Sequence, residues 1–210
     1  MDERDAQGPL LRATPEDFRV EEELAYAPGG EGGHTYLWIE KRLRETDQVA
    51  RWLAREAGVR PGDVGYAGRK DRRAVTRQWF SVPGLDPAAA KALEAPGIRV
   101  LEATAHAHKI RVGKLRANRF EIRVRDVDDA LVEPLAEAAS AIRDHGLANR
   151  FGAQRFGRGG HNVERAAALV AGRIRERDRR KARFLFSALQ SHVFNAVLDA
   201  RPLPPHRALR

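Results

Sequence analysis

The sequence predicts an α+β domain, and three observations carry that prediction. Short apolar segments of strand character are interleaved with amphipathic helical segments, and no internal repeat links them. Phe120, Ile122 and Val124 alternate with Glu121, Arg123 and Arg125, the two-residue period of a half-exposed strand. Leu131, Leu135, Ala138 and Ile142 recur at helical spacing after Asp129, and Gly146 stops the run.

The elements follow in order. Residues 18–24 alternate loosely and are predicted as a strand; residues 35–41, with Tyr36, Leu37, Trp38 and Ile39, as a second. Between them, Pro28-Gly29-Gly30-Glu31-Gly32-Gly33 reads as a flexible loop. With no buried strand before it and no helix after it in frame, it does not fit a nucleotide-cradling turn. Thr46 is expected to cap a helix over residues 47–57, apolar at Val49, Trp52, Leu53 and Ala57 and stopped by Gly58. Residues 64–67 and 76–82 are predicted as strands joined by a basic loop, with Pro83-Gly84 ending the second. A short helix over 87–95 and a strand over 98–106 come next. After the helix from Asp129 to His145, residues 149–160 form a glycine-rich loop, and Asn162 is expected to cap a helix running to Gly172. A last helix is predicted over 181–200, apolar at Leu185, Phe186, Leu189, Val193, Phe194, Val197 and Leu198, and ended by Pro202, Pro204 and Pro205. An apolar helix running into such a tail normally precedes more structure.

Composition narrows the function classes. The 210 residues, 42% hydrophobic and 32% charged, suffice for a buried core, as one large domain or two small ones. No apolar run has the length of a membrane span, and the acidic Met1-Asp2-Glu3-Arg4-Asp5 start lacks the apolar stretch of a signal peptide, so a cytoplasmic chain with no membrane contact is expected. The absence of cysteine excludes disulfides and thiolate metal sites. His106 and His108 share a strand face, but two histidines without a third ligand do not make a metal site, so no metal is expected.

The net charge of +9 is clustered. Residues 1–47 hold 12 acidic and 6 basic side chains, whereas residues 106–125 hold 7 basic against 1 acidic and residues 150–183 hold 11 against 3. Clustering of this kind is the footprint of a polyphosphate partner, the bland alternative being a solvated arginine-rich surface. Within the run Gly65-Tyr66-Ala67-Gly68-Arg69-Lys70-Asp71-Arg72-Arg73-Ala74-Val75-Thr76-Arg77-Gln78-Trp79-Phe80, Asp71 is one carboxylate among five cations. Neighbouring cations favour its ionised form. Taken alone, it also reads as an ordinary surface ion pair of little energetic weight. An acid hydrolase with paired carboxylates fits poorly, because Asp71 has no acidic neighbour in the run.

Four ordered segments settle between these readings. The run from Gly65 to Phe80 resembles the catalytic-aspartate motif of the TruD-type tRNA pseudouridine synthases. Leu11-Arg12-Ala13-Thr14-Pro15-Glu16-Asp17-Phe18-Arg19-Val20-Glu21-Glu22 resembles that family's P-x-D-F-x-V-x-E segment, Asn118-Arg119-Phe120 its N-x-F motif, and Asn149-Arg150-Phe151-Gly152-Ala153-Gln154-Arg155-Phe156-Gly157 its N-x-F-G-x-Q-R-F-G box. Ser187-Ala188-Leu189-Gln190-Ser191 with Phe194-Asn195 is a softer fifth match.

The resemblance implies a pseudouridine-synthase-like mixed, largely antiparallel sheet with flanking helices over residues 1–148, followed from 149 to 210 by the start of a TruD-type insertion domain. It implies a tRNA partner, isomerisation of uridine (uridine 13) to pseudouridine, and no cofactor; a monomer is expected. By position, Asp71 matches the nucleophile and Arg12 its charge partner; Phe18, Asn118 and Phe120 match substrate-contacting positions. An aromatic face such as Phe120 supports a flipped base. Lys70, Arg72, Arg150, Arg155 and Arg158 are candidates for the RNA backbone. Family members continue beyond the length seen here, so a C-terminally truncated member is expected, and a non-catalytic RNA-binding fragment is the competing reading.

Overall fold

The computed structural model describes residues 8–201, apart from the side chain of Arg158. They divide into two compact units, the first reaching Asp128 and the second starting at Asp129. That boundary precedes the 148/149 division expected from the sequence.

The first unit is built on β1 (Leu10–Leu11), β2 (Phe18–Leu24), β3 (His34–Arg42), α1 (Thr46–Glu56), β4 (Gly65–Tyr66), β5 (Val75–Pro83), α2 (Pro87–Lys91), β6 (Glu94–Ala95), β7 (Ile98–His106), β8 (Leu115–Ile122) and β9 (Val124–Arg125). Among the described residues, seven of these strands form one sheet in the order β6-β7-β3-β5-β2-β8, with β4 also on β5. Only the β2/β5 pairing is parallel. The mixed, mostly antiparallel sheet implied by the resemblance is what the chain forms.

Burial follows strand parity. On β3, Leu37 and Ile39 point to the face covered by α1, where Val49 and Leu53 meet Phe80 and Val82 of β5. Tyr36 lies on the opposite face with Ala67 and Ile110. That opposite face also carries a row of charges: Arg77 donates to Glu21 at 2.6 Å and Glu40 at 2.9 Å, and Arg99 reaches Glu40 at 2.9 Å. The row crosses β2, β5, β3 and β7 at matched register positions, so a slip of any strand would break it.

Two local expectations shift. The helix predicted after Thr46 begins at Thr46 itself, with Glu45 as its cap residue and the Gln48 side chain accepting from the Glu45 N–H at 2.9 Å. The glycine-rich loop, read as flexible, is seated on the end of β7: Gly30 N–H donates to Ala105 O, and a Cβ on Gly32 would lie 2.5 Å from Ala107 Cα. Its glycines permit close backbone approach.

The second unit holds α3 (Asp129–His145), α4 (His161–Val170) and α5 (Arg179–Asp199). Asp178 caps α5, accepting from Arg180 N and Lys181 N. Ala166, Leu185 and Ala188 form its small buried apolar set among the described residues, while the predicted α5 positions Phe186, Val193, Phe194 and Val197 are exposed. So are Leu131, Leu135 and Ile142 of α3. Amphipathic spacing marks which face is apolar; it does not supply a partner for it.

A buried carboxylate ties the first strands to the last. Asp17 accepts two hydrogen bonds from Arg125, both at 2.8 Å, and one from Thr14 N at 2.9 Å. Arg123 N donates to Asp17 O at 2.8 Å, and β1 pairs with β9 alongside. The Arg125 hydrogen bonds hold the Asp17 carboxyl at about 2, below its ordinary 3.8. A folded-state pKa below the unfolded one means that this contribution to stability is present above about pH 4 and is lost as pH falls towards 2. Thermal unfolding of Asp17→Asn should therefore be less stable than the parent at pH 6, with the gap closing as both are taken through that acid window.

Candidate active site

The loop between β4 and β5 carries Asp71, and its backbone is fixed from below by buried polar side chains. Lys41, in the α1-facing register of β3, is 1% exposed and donates to three carbonyls: Arg44 O at 2.8 Å, Lys70 O at 3.3 Å and Asp71 O at 2.8 Å. Burial pulls its ammonium pKa down to about 8, against the opposing field of Asp71. The Thr46 hydroxyl accepts from Lys70 N at 2.9 Å and donates to Gln78 Oε1 at 2.9 Å, while Gln78 Nε2 donates to Gly68 O at 3.0 Å. Three elements thus grip three consecutive stretches of the loop. Gly68 is tight for a separate reason: a Cβ there would lie 3.2 Å from Leu115 Cδ2, so its missing side chain makes room for β8.

The side chains flanking Asp71 are held as well. Arg69 pairs with Asp47 at 2.7 Å, and Tyr66 Oη donates to the same carboxylate at 2.8 Å. Lys70 pairs with Glu22 at 2.5 Å in a bridge that is 5% and 0% exposed. Glu22 Oε1 also accepts from Trp79 N at 3.3 Å. Asp71 itself is left outward, its side chain 57% exposed and 3.3 Å from Arg12.

Arg12 comes from the turn after β1 and adopts φ 58°, a left-handed backbone costing a non-glycine residue about 1–3 kcal/mol. Its guanidinium lies 3.6 Å over the Phe18 ring. Phe18 in turn meets Phe120 with centroids 5.9 Å apart, and Phe120 is 57% exposed. Asn118 stands opposite Glu22 in the β2/β8 register, and its Oδ1 is buried with no hydrogen-bond partner. Asp71, Arg12, Phe18, Phe120 and Asn118 therefore share one face of one unit, although they are drawn from three separate stretches of sequence. An exposed carboxylate on a fixed backbone, an aromatic platform and an amide with free acceptor capacity can together receive a planar polar ring.

The family model for tRNA pseudouridine synthase D (TruD) matches residues 1–182. The chain belongs to the TruD family. It is 47% identical over 193 residues to the tRNA pseudouridine synthase D of Methylococcus capsulatus, covering 91% of this chain and 54% of that protein. To the one from Anaeromyxobacter dehalogenans strain 2CP-1 it is 49% identical over 201 residues, covering 92% and 57%. Among solved structures it is similar to the putative TruD of Methanosarcina mazei, with TM-score 0.68 at 25% identity, over 93% of this chain and 48% of that one. The chain thus spans about half the length of the curated relatives it matches.

Several TruD-like positions stand differently from the sequence-based expectation. Lys70, expected at an RNA backbone, is buried against Glu22 and presents no charge to solvent. Arg72 is exposed next to Asp71. In the second unit, Arg150 pairs with Asp199. Arg155 is half-buried; it donates to the Ser187 and Ser191 hydroxyls and lies between the Phe151 and Phe184 rings, 5.7 and 5.6 Å away. Asn195 makes paired hydrogen bonds of 3.0 Å with both Phe151 N and Phe151 O. The glycine-rich box and the softer fifth motif are therefore two sides of one contact. The side chain of Arg158 lies outside the described residues.

Sequence reasoning missed Lys41, Thr46, Gln78 and Glu22 as members of the site. A signal was present: each of Lys41, Gln78 and Glu22 falls on the buried parity of its strand, at even spacing from Ile39, Phe80 and Val20. A charge or amide in core register must have a buried partner.

Lys41→Met would strip the donor from three inward carbonyls. Leaving buried acceptors unpaired costs about 1–3 kcal/mol each, offset in part by relief of the ammonium's own burial. Urea denaturation should show a net loss, and hydrogen exchange of the amides of residues 69–73 should quicken. Unchanged exchange there would mean that Thr46 and Gln78 suffice to hold the loop.

Proposed function

We propose that this chain is a tRNA pseudouridine synthase in which Asp71 is the nucleophile. The observation that carries the reading is the contrast at the loop, where the backbone of Lys70 and Asp71 is anchored while the Asp71 carboxylate stands exposed beside Arg12. The TruD relatives bear the name of that activity. In this reading a uridine of tRNA, uridine 13 by resemblance, leaves its stack and lies against Phe120, with stacking worth roughly 1–3 kcal/mol. Asn118 reads its polar edge.

The Asp71 carboxylate attacks the nucleoside, the bond from uracil nitrogen to the sugar breaks, and the base turns. A carbon–carbon bond to the same sugar carbon then forms, the carboxylate is released, the ring carbon gives up its proton, and the ring nitrogen that had held the sugar takes up a proton. Reactant and product have the same atoms, so the chemistry calls for no redox partner or group donor. Arg12 acts by orienting the carboxylate. As a half-exposed pair its energy is only about 0.2–1 kcal/mol, so stability is not its main role. A tRNA substrate is consistent with a cytoplasmic chain.

A second reading is favoured by the chain's span of about half its relatives' length: it binds tRNA without completing the reaction. A single-turnover assay on unmodified tRNA separates the two, since binding without pseudouridine selects the second. If product forms, Asp71→Asn should abolish it while tRNA affinity stays within about threefold, and detectable pseudouridine with that variant would remove Asp71 from its role. Phe120→Ala should slow the single-turnover rate by about 5- to 150-fold, as loss of one stacking contact implies; an unchanged rate would make Phe120 a packing residue only.

A further inference from the structure

On the opposite face of the first unit's sheet, the end of β7 and the loop after it form a cavity of about 560 Å³ that the proposed reaction does not use. Three histidines line it. His34 and His106 are direct partners in the β3/β7 register, and the His106 and His108 rings stand 6.3 Å apart, nearly perpendicular. The His106 ring is stacked on Tyr26 at 5.4 Å. Its Nδ1 accepts from Gly29 N at 2.9 Å, so the neutral ring carries its proton on Nε2. His34 Nδ1 is buried with no hydrogen-bond partner.

The remaining charge is all of one sign. Lys109, Arg111 and Lys114 complete the lining, and no carboxylate contributes to it. Burial and the neighbouring cations push His34 below its ordinary value, and burial with His108 does the same for His106. A metal cation would meet this field as repulsion; an anion would meet unshared donors and cations.

The loop that supplies the cations is docked beside the strand leading to Asp71. Gly113 N donates to Ala67 O at 2.8 Å, and Ile110 N donates to Ser81 Oγ at 2.9 Å. Ala67 precedes Asp71 by four residues, so at most about 14 Å of backbone separates the docking point from the exposed carboxylate. The volume suits one nucleotide unit, and the Tyr26–His106 pair offers aromatic surface next to the cations.

We propose that this cavity is a second RNA contact, seating a phosphodiester of the strand that flanks the target uridine. It rests on the reading of the chain as an RNA-modifying protein, and it adds a binding element distinct from the residues that touch the reacting nucleoside. The phosphate is held by Arg111, Lys114 and the imidazole N–H groups, and the site reads backbone rather than sequence.

The test is tRNA binding as a function of salt for the parent chain and for Arg111→Glu/Lys114→Glu. Both side chains are exposed, so the core is untouched. The variant should bind at least tenfold more weakly at 0.1 M salt, and its log–log salt slope should be shallower by about 1, for the one phosphate that the site neutralises. In the parent chain, imidazole NMR signals of His34, His106 and His108 should shift on adding tRNA. Unchanged affinity and slope, or silent imidazoles while tRNA is bound, would overturn the second contact and leave the proposed reaction standing. Imidazole shifts produced by millimolar inorganic phosphate that tRNA fails to displace would also overturn it, in favour of a free-anion site. A parent chain that binds no tRNA at any salt would sink both readings together.

Discussion

The carbonyls of Lys70 and Asp71 turn inward, and the ammonium of Lys41 is what makes that orientation stable. A lysine buried this deeply is costly unless all three N–H groups find acceptors, and here the three acceptors are Arg44 O, Lys70 O and Asp71 O. The match is reciprocal, because carbonyls that leave a strand to form a tight loop have no sheet partner of their own. With the backbone committed inward, the Asp71 side chain has only the outward direction left. Exposure of the carboxylate is thus a consequence of burying a cation beneath it.

The same economy of charge runs through the first unit. Most of the described acids among the first 47 residues are paired with cations. Glu16 meets Arg42, Asp17 meets Arg125, Glu21 and Glu40 meet Arg77, Glu22 meets Lys70, and Glu23 meets Arg116. Most partners come from later strands, so the acids of β2 act as cross-strand ties. Their individual worth differs with burial. The exposed pairs contribute little, whereas removing one member of Glu22–Lys70 would leave a buried charge unpaired at about 3–5 kcal/mol. That pair sits directly beside the Asp71 loop, and Glu22 also accepts from Trp79 N of β5, tying β5 to β2.

One point of backbone strain lies where the functional reading places the chemistry. Arg12 is one of three described non-glycine residues with positive φ, and it is held there by the β1/β9 pairing and the Asp17–Arg125 clamp on either side. The P-x-D-F motif therefore divides its labour: the aspartate locks the turn, and the phenylalanine carries Arg12 on its ring. The turn brings the guanidinium to Asp71 from a direction that a relaxed strand would not reach.

Much of this was legible in the residues. Strand parity set β2, β3, β5 and β7 to within a residue or two, glycine and aspartate marked helix ends, and the ordered motifs picked out Asp71, Arg12, Phe18, Asn118 and Phe120. These are local signals, carried by spacing along the chain. What the sequence could not supply was partnership across strands. It placed Thr46 as a helix cap when its hydroxyl serves the loop, offered Lys70 to RNA when Glu22 holds it, and weighed His106 and His108 only as metal ligands, since chain order does not show that His34 stands opposite His106. Hydrogen bonds, ion pairs and cavities depend on which distant atoms come within about 3 Å, and only the register of the folded sheet decides that.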